Sequence, residues 1–391
     1  MTTNDSPVVS TPGLDPAPAF DPAPAVEPAG STIFFTGFPG FIGRRLVRAL
    51  HERRPEARWV FLVQDRLRER AEADLRELER RSPDFRDRWE TVVGDITDPR
   101  LGLAPGTWED LTGRVTEAWH LAAVYDLAVP EEVARRVNVD GTRHVLDFCQ
   151  ECEGFERLLY VSTCYVAGER KGRVLEDELD EGQGFKNHYE STKFAAEVEV
   201  QRRWDRIPTV VFRPAVVVGD SRTGETDKYD GPYYMMRLMM RLPRLVPVVG
   251  LGRGAARLNL VPVDWLVAAM VEIGSQEDAT GRVYQLADPA ALEVRELLDR
   301  ISEILGKPKP LVRLPGALIE GAMSFRPLRQ ALEMPKETIV YANHPVAYDV
   351  QNTLDALEGT GIECPPIASY LPVLIDYVRR HPEKEFLDKR Y

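Results

Sequence analysis

The sequence predicts an α/β fold: a doubly wound parallel sheet followed by a smaller, mostly helical C-terminal lobe. Three observations carry this. From Ser31 to about Gly219, short runs of β-branched and aromatic residues alternate with amphipathic helical stretches. Such alternation over short links gives parallel strands covered by helices on both faces. A glycine-rich turn, "TGFPGFIG", joins the first run to the first helical stretch. Beyond Gly219 the rhythm breaks, and the chain becomes mostly helical with proline punctuation.

Each element follows from its local pattern. Residues 1–30 carry "DPAPA" twice and too few apolar side chains to offset their ordering entropy, so they read as a disordered tail. "STIFFTG" is a buried strand ending at glycine. "FIGRRLVRALHERRP" has helical periodicity and stops at Pro55. "WVFLVQ" is the second strand, and residues 66–81 form a solvated, charge-laced helix. "TVVGDI" and "EAWHLAA" are the third and fourth strands. "EEVARRVNVDGTRHVLDFCQ" reads as one helix and "RLLYVSTCYVAG" as a strand. "NHYESTKFAAEVEVQRRW" is a helix and "PTVVFRPAVVVG" one further strand. "LNLVPVDWLVAAMVEI" and "RVYQLAD" return to the sheet. The expected division is a tail (1–30), a sheet domain (31–219, completed by about 257–290) and a substrate-binding lobe from 220–256 and 291–391.

Bulk properties exclude several classes. The 391 residues carry a net charge of -12, which argues against a broad nucleic-acid-binding face. No stretch is apolar for the roughly 18 residues of a membrane span, and "MTTNDSPVVS" has no secretory pattern. A cytoplasmic protein is expected. The four cysteines include a "CQEC" pair without the second pair or flanking histidine that zinc requires, so no metal site is predicted.

The glycine turn is the first functional signal. Gly37, Gly40 and Gly43 follow G-x-x-G-x-x-G between a strand and a helix. That arrangement lets the backbone approach a pyrophosphate while the helix N-terminus supplies N–H donors, as in a Rossmann dinucleotide site. Thr36, Phe38, Phe41 and Ile42 complete the loop. Asp65 falls 22 residues after Gly43, close to the roughly 20 of an acid on the ribose 2′-hydroxyl, which favours NADH. Arg44 and Arg66 pull toward a 2′-phosphate. The balance is read as NADPH, with NADH the alternative.

The second signal is "HYESTK". Tyr189 and Lys193 stand four residues apart and share one helix face. A free phenol, pKa about 10, is a poor acid–base catalyst at neutral pH, and a neighbouring ammonium brings it toward the working range. On an isolated helix the same pair reads as half-exposed surface; the glycine loop upstream favours catalysis.

In this order, "TGFPGFIG", "GDITDPRLGL", "HLAA", "NVDGT", "YVSTCYVAG", "NHYESTK", "RPAVVVGDSRTG" and "LNLVPVD" resemble the extended short-chain dehydrogenases/reductases. Within them the chain looks like the male-sterility-type branch of fatty acyl-CoA reductases and of thioester reductase domains from carboxylic acid reductases and peptide synthetases. The resemblance runs from Ser31 to at least Pro289. It implies that Gly37, Gly40 and Gly43 hold the pyrophosphate, that Asp95 and Ile96 border the adenine, and that Ala122 and Ala123 lie under the cofactor. Asn138 is implied as a structural or water-relay residue. Thr163, Tyr189 and Lys193 are implied as the catalytic set, with Lys193 also on the nicotinamide ribose, and Pro214, Val216 and Val217 beside the nicotinamide. Thr163 would polarise the carbonyl; Ser162 is its rival, since strand alternation turns only one of them to the cleft. The chain departs from the pattern at "VQDR", where NADP-using members often have arginine, and shows no counterpart of the membrane-associated C-terminal extension of eukaryotic members.

The resemblance implies reduction of an acyl thioester (acyl-CoA or carrier-bound acyl) or a related carbonyl compound; a thioester gives an aldehyde, and whether a second hydride carries it on to the alcohol is left open. Coenzyme A or an acyl carrier protein is the expected acyl carrier, and a homo-oligomer is left open. The other readings are a hydroxysteroid-type or sugar-nucleotide dehydrogenase or epimerase, and a non-catalytic cofactor sensor, against which the Tyr/Lys pair stands. In the segment Tyr233–Val249, four methionines read either as a flexible surface for acyl chains or as core. Arg237 and Arg241 read either as phosphate ligands or as snorkelling side chains.

Overall fold

The computed structural model describes residues 30–243, 250–251, 256–310, 313–314, 321, 341 and 344–384. The expected disordered tail, up to residue 29, lies outside them.

The chain starts with β1 (Thr32–Thr36), α1 (Phe41–Arg53), β2 (Arg58–Val63), α2 (Asp65–Arg81) and β3 (Trp89–Val93). There follow α3 (Pro105–Thr112), β4 (Glu117–His120), α4 (Glu131–Ala134), α5 (Gly141–Glu151), β5 (Arg157–Val161), β6 (Gly172–Val174), α6 (His188–Gln201) and β7 (Thr209–Pro214). All five residues of β1 are buried, as a continuous apolar run under two layers of helix requires. The charge-laced α2 buries only Ala71 and Leu75 and spends Glu72 and Glu77 on arginines three or four residues away.

With β11 (Arg282–Leu286) these strands form a seven-stranded parallel sheet in the order β3-β2-β1-β4-β5-β7-β11. Strand order reverses between β1 and β4, so a crevice opens beyond their C-terminal ends, where such sheets bind ligands. In that register Thr36 lies opposite Leu62 on one side and His120 on the other.

Two expectations need correction. "PTVVFRPAVVVG" is not one strand. β7 ends at Pro214, and β8 (Val216–Val218) leaves the main sheet to pair with β10 (Leu260–Pro262). Proline supplies no N–H and fixes φ, so it ends the ladder at this corner. The long helix before β5 is likewise interrupted, by a wide π-helical turn at Arg135–Asp140 that carries Asn138. Such turns commonly mark functional sites.

One face of the sheet packs on α1 and α8 (Val263–Ser275), the other on α5 and α6. A third apolar cluster joins α7 (Pro232–Arg241), α9 (Val294–Leu305) and the helix Ile367–Arg380. Met236 and Met239 lie fully inside it, so these two methionines are core and not acyl-binding surface. Arg237 donates to the carbonyls of Pro382 and Lys384, which accounts for its charge without a phosphate. Among the described residues, no helix is long and apolar enough to cross a membrane, and no cluster of His, Cys, Asp and Glu could hold a metal ion.

Candidate active site

The crevice begins with the glycine turn. Gly37 has φ +90, and a Cβ there would sit 2.9 Å from the Ala122 nitrogen. Only glycine lets the loop lie this close to the chain leaving β4. Cβ atoms at Gly40 and Gly43 would meet the Gly37 carbonyl oxygen at 2.7 and 2.8 Å. Helix α1 opens at Gly40 without a side-chain cap, so the N–H groups of its first turn face the crevice unclaimed by any side chain. A tight backbone cradle and an uncapped helix start fit a dinucleotide pyrophosphate. The loop's aromatic side chain does other work: Phe38 is buried against Phe61. Phe41 and Ile42 also pack on the core, leaving the loop backbone to face the crevice.

Beneath the cradle lies a residue that sequence reasoning missed. The ring of His120 bridges Thr36 (2.7 Å) and Thr142 (3.1 Å), tying the end of β1 to α5. Burial, reinforced by Lys193, pulls its pKa down to about 3, so it is neutral. Ala122 donates to the Thr36 hydroxyl at 3.3 Å; Ala122 is half-buried and Ala123 exposed at the crevice. Asn138 is spent internally. It accepts from the Val124 N–H at 2.9 Å and donates to the Thr192 hydroxyl at 3.1 Å, holding the loop after β4 against α6.

At the end of β2, Asp65 and Arg66 are exposed. The carboxamide of Gln64 links this corner to the next strand, donating to Asp95 (2.7 Å) and accepting from Arg66 (2.9 Å). Ile96 is buried against Gly141. Arg44 does not stand free for a phosphate. Its terminal nitrogen donates to both oxygens of Asp227, at 2.6 and 2.7 Å. Asp65 pairs with neither arginine, so the pairing that would leave this corner net positive does not form.

The catalytic candidates converge at the C-terminal edge of β5. Ser162 turns away from the cleft: its hydroxyl donates to the buried Glu197 at 2.5 Å. Thr163 faces the other way, as alternation demands, and its hydroxyl lies near enough to the Tyr189 phenol to oppose the rise of that group's pKa. It also accepts from the Tyr165 N–H at 3.2 Å and lies 3.5 Å from the Pro214 carbonyl. Val216 and Val217 follow, half-buried, on β8. Tyr189 is buried on the first turn of α6, whose N-cap Asn187 accepts from the Glu190 N–H.

Lys193 departs from expectation. Its ammonium points below Tyr189, donating to the Val161 carbonyl (2.9 Å) and the Tyr160 hydroxyl (3.0 Å). With a side chain this buried, the nearest acceptors win. Burial pulls its pKa down to about 7, while Glu197 one turn on pulls it back up. The phenol of Tyr189 is accordingly not lowered by an ammonium. Burial raises its pKa, the Thr163 hydroxyl opposes this, and Glu190 adds to the rise.

Other side chains at the site had no sequence signal beyond being aromatic or charged. Tyr125 meets Tyr189 edge-on at 5.1 Å and carries Lys228 over its own ring at 4.6 Å. Tyr165 stacks on Tyr341 at 4.6 Å. Tyr165, Lys186, Ala215, Val216, Arg257 and Tyr341 are among the walls of a small cleft beside the β7–β8 corner.

Comparison with known proteins bears on this geometry. Residues 35–270, more than half of the chain, match the model of an NAD-binding family described as "Male sterility protein". The L-2-aminoadipate reductase large subunit of Penicillium chrysogenum is 28% identical over 64% of this chain and 19% of its own length. The fatty acyl-CoA reductase wat of Drosophila melanogaster is 25% identical over 61% of this chain and 53% of its own. The chain thus spans about a fifth to a half of these relatives. Among solved structures, the terminal R domain from the myxalamid PKS-NRPS biosynthetic pathway superimposes with a TM-score of 0.76 at 28% identity, covering 91% of this chain and 92% of that one.

Proposed function

Given that the chain belongs to the male sterility protein family of NAD-binding domains, we propose that it is an NADPH-dependent reductase of acyl thioesters, acting on an acyl group carried by coenzyme A or by a carrier protein. The observation that carries this reading is the pairing of a glycine cradle after β1 with Thr163 and the buried Tyr189 beyond the end of β5, two strands of one parallel sheet. The names of the relatives, an aminoadipate reductase, a fatty acyl-CoA reductase and a terminal R domain, support a thioester as substrate.

In this reading, Gly37, Gly40, Gly43 and the start of α1 hold the cofactor pyrophosphate. The bound nicotinamide supplies the hydride. Thr163 and Tyr189 donate to the carbonyl oxygen as it gains negative charge, the point at which preorganised donors lower the barrier most. Tyr189 then gives its proton to that oxygen. The resulting hemithioacetal breaks its C–S bond to give aldehyde and thiol. Lys193, anchored by the Val161 carbonyl, supports the helix face that carries Tyr189. We propose NADPH on Arg66, whose terminal nitrogens have no partner among the described residues and can reach a 2′-phosphate.

The test is oxidation of NADPH and NADH by purified protein against acyl-CoAs, free aldehydes and ketones, for wild type and Tyr189→Phe. The expected result is thioester-dependent oxidation that favours NADPH and falls at least about a hundredfold in the variant, the scale of general acid catalysis. Ketone reduction without thioester turnover would overturn the substrate reading. Wild-type rates in the variant would overturn the assignment of Tyr189.

A further inference from the structure

One aromatic side chain from late in the sequence touches the neighbours of both members of the proposed catalytic pair. Tyr341 lies more than 150 residues from Tyr189 in sequence and is buried. Its hydroxyl donates to Glu190 Oε1 at 2.6 Å and accepts from Asn187 Nδ2 at 2.7 Å. Chemistry fixes these directions. Glu190 has no exposed surface, and a carboxylate that accepts from an N–H can only accept, so the phenol must donate to it. The phenol oxygen is then an acceptor, and the Asn187 amide must present its NH₂ there. That leaves Asn187 Oδ1 for the Glu190 N–H at 3.0 Å, which is the N-cap of α6. The second carboxylate oxygen accepts from the Lys186 N–H at 2.9 Å. The bonds close a ring, Asn187 to Tyr341 to Glu190 and back to Asn187, around the turn of helix that bears Tyr189.

The face of the same ring packs beside the other half of the pair. Tyr341 stacks on Tyr165 at 4.6 Å with an interplanar angle of 26°. The Tyr165 N–H in turn donates to the Thr163 hydroxyl. Tyr341 therefore bears on Thr163 through its ring and on Tyr189 through its hydroxyl. Lys186 completes the surroundings, with its ammonium 5.4 Å from the Tyr341 ring centroid and 3.4 Å from Glu190.

We propose that Tyr341 is a positioning residue of the reductase: it sets the Thr163–Tyr189 hydroxyl geometry by clamping the loop after β5 to the first turn of α6. The proposal rests on the assignment of Thr163 and Tyr189 as the carbonyl-facing pair. Misplacing reacting groups by about an ångström can cost a hundredfold in rate, whereas cofactor binding at the glycine cradle does not pass through this ring of bonds.

Tyr341→Phe keeps the stacking and removes the hydroxyl; Tyr341→Leu removes both. The readouts are kcat and KM with an acyl-CoA thioester, the stoichiometry and Kd of cofactor binding by fluorescence titration, and the double variant Tyr341→Phe with Glu190→Gln. The expected result is a kcat lowered tenfold or more in Tyr341→Phe and further in Tyr341→Leu. KM should change by less than threefold, with one cofactor bound per chain at unchanged Kd. The double variant should be no slower than the slower single variant, because both act through one bond. A kcat within twofold of wild type in Tyr341→Phe overturns the proposal, as do fully additive losses. A loss of kcat matched by a loss of cofactor stoichiometry marks partial unfolding and also overturns it. Tyr189→Phe run alongside separates the two levels: wild-type rates there refute the catalytic pair itself, whatever Tyr341→Phe does.

Discussion

Glu197→Gln is the most informative substitution away from the reacting groups. Glu197 and Arg213 are both fully buried and joined by contacts of 2.6, 3.0 and 3.2 Å. Glu197 also accepts from Ser162 and from Gln201. Among the described residues, the carboxylate is the one negative group bonded to a guanidinium that otherwise donates to the backbone carbonyls of Glu176 and Glu178. Glutamine keeps the shape and an acceptor oxygen but leaves the Arg213 charge uncompensated. Breaking a buried pair this way costs about 3–5 kcal/mol. At about 2–4 °C per kcal/mol for a large domain, that is a fall in Tm of about 6–20 °C. Glu197 also holds the Lys193 pKa up against burial, so the variant should drop it below its present value of about 7. Two measurements follow: urea or thermal unfolding, and the pH at which a Lys193-directed amine reagent starts to label the folded protein. A stability loss under about 1 kcal/mol, or a labelling curve unmoved toward acid, would refute the reasoning, because each requires the charge of Glu197 to act where it is buried.

The remaining expectations are briefer. Gly37→Ala should abolish cofactor binding by titration while the chain still folds, because φ +90 and a Cβ 2.9 Å from the Ala122 backbone force the loop outward; retained affinity would show that the turn is not the cradle. His120 is buried neutral, with its pKa pulled to about 3 against 6.5 for the exposed ring. The unfolded chain therefore takes up a proton at a pH where the folded one does not, and this contribution to stability, complete above pH 6.5, is lost as the pH falls toward 3. Between pH 7.5 and 5 it amounts to about 2 kcal/mol at about 1.4 kcal/mol per pKa unit. His120→Gln should shrink the difference in urea-unfolding free energy between those two pH values by that amount, and an unchanged difference would count against it.

What could be read from the sequence was what is local. The apolar run of β1, the glycine spacing behind it and the i, i+4 pair of Tyr189 and Lys193 are each written within eight residues. Each keeps its place in the structure, because sheet burial, turn geometry and helix phase act over that range. Strand alternation said that one of Ser162 and Thr163 faces the cleft, and the structure adds that the Ser162 hydroxyl is taken by Glu197. The failures are long-range. Arg44 looked free for a phosphate because its partner, Asp227, lies 183 residues away. Tyr341 carries no motif, and its bonds to Asn187 and Glu190 span more than 150 residues. The split after β7 was hidden by valines on both sides of Pro214 that suit one strand as well as two. Lys193 was misjudged for a different reason: spacing on a helix says which face a side chain leaves from, not which acceptor its end will reach.

The direction of the two shifts at the site says which chemistry burial favours. An acid that must donate a proton at neutral pH has to be protonated before the hydride arrives. Burial raises the Tyr189 pKa, Glu190 beside it raises it further, and no ammonium lies close enough to reverse this. The phenol therefore stays protonated at neutral pH, the state from which it can give a proton to a carbonyl oxygen. Lys193, pulled down to about 7 by the same burial, is poised the opposite way, as the group whose charge a bound anion would restore.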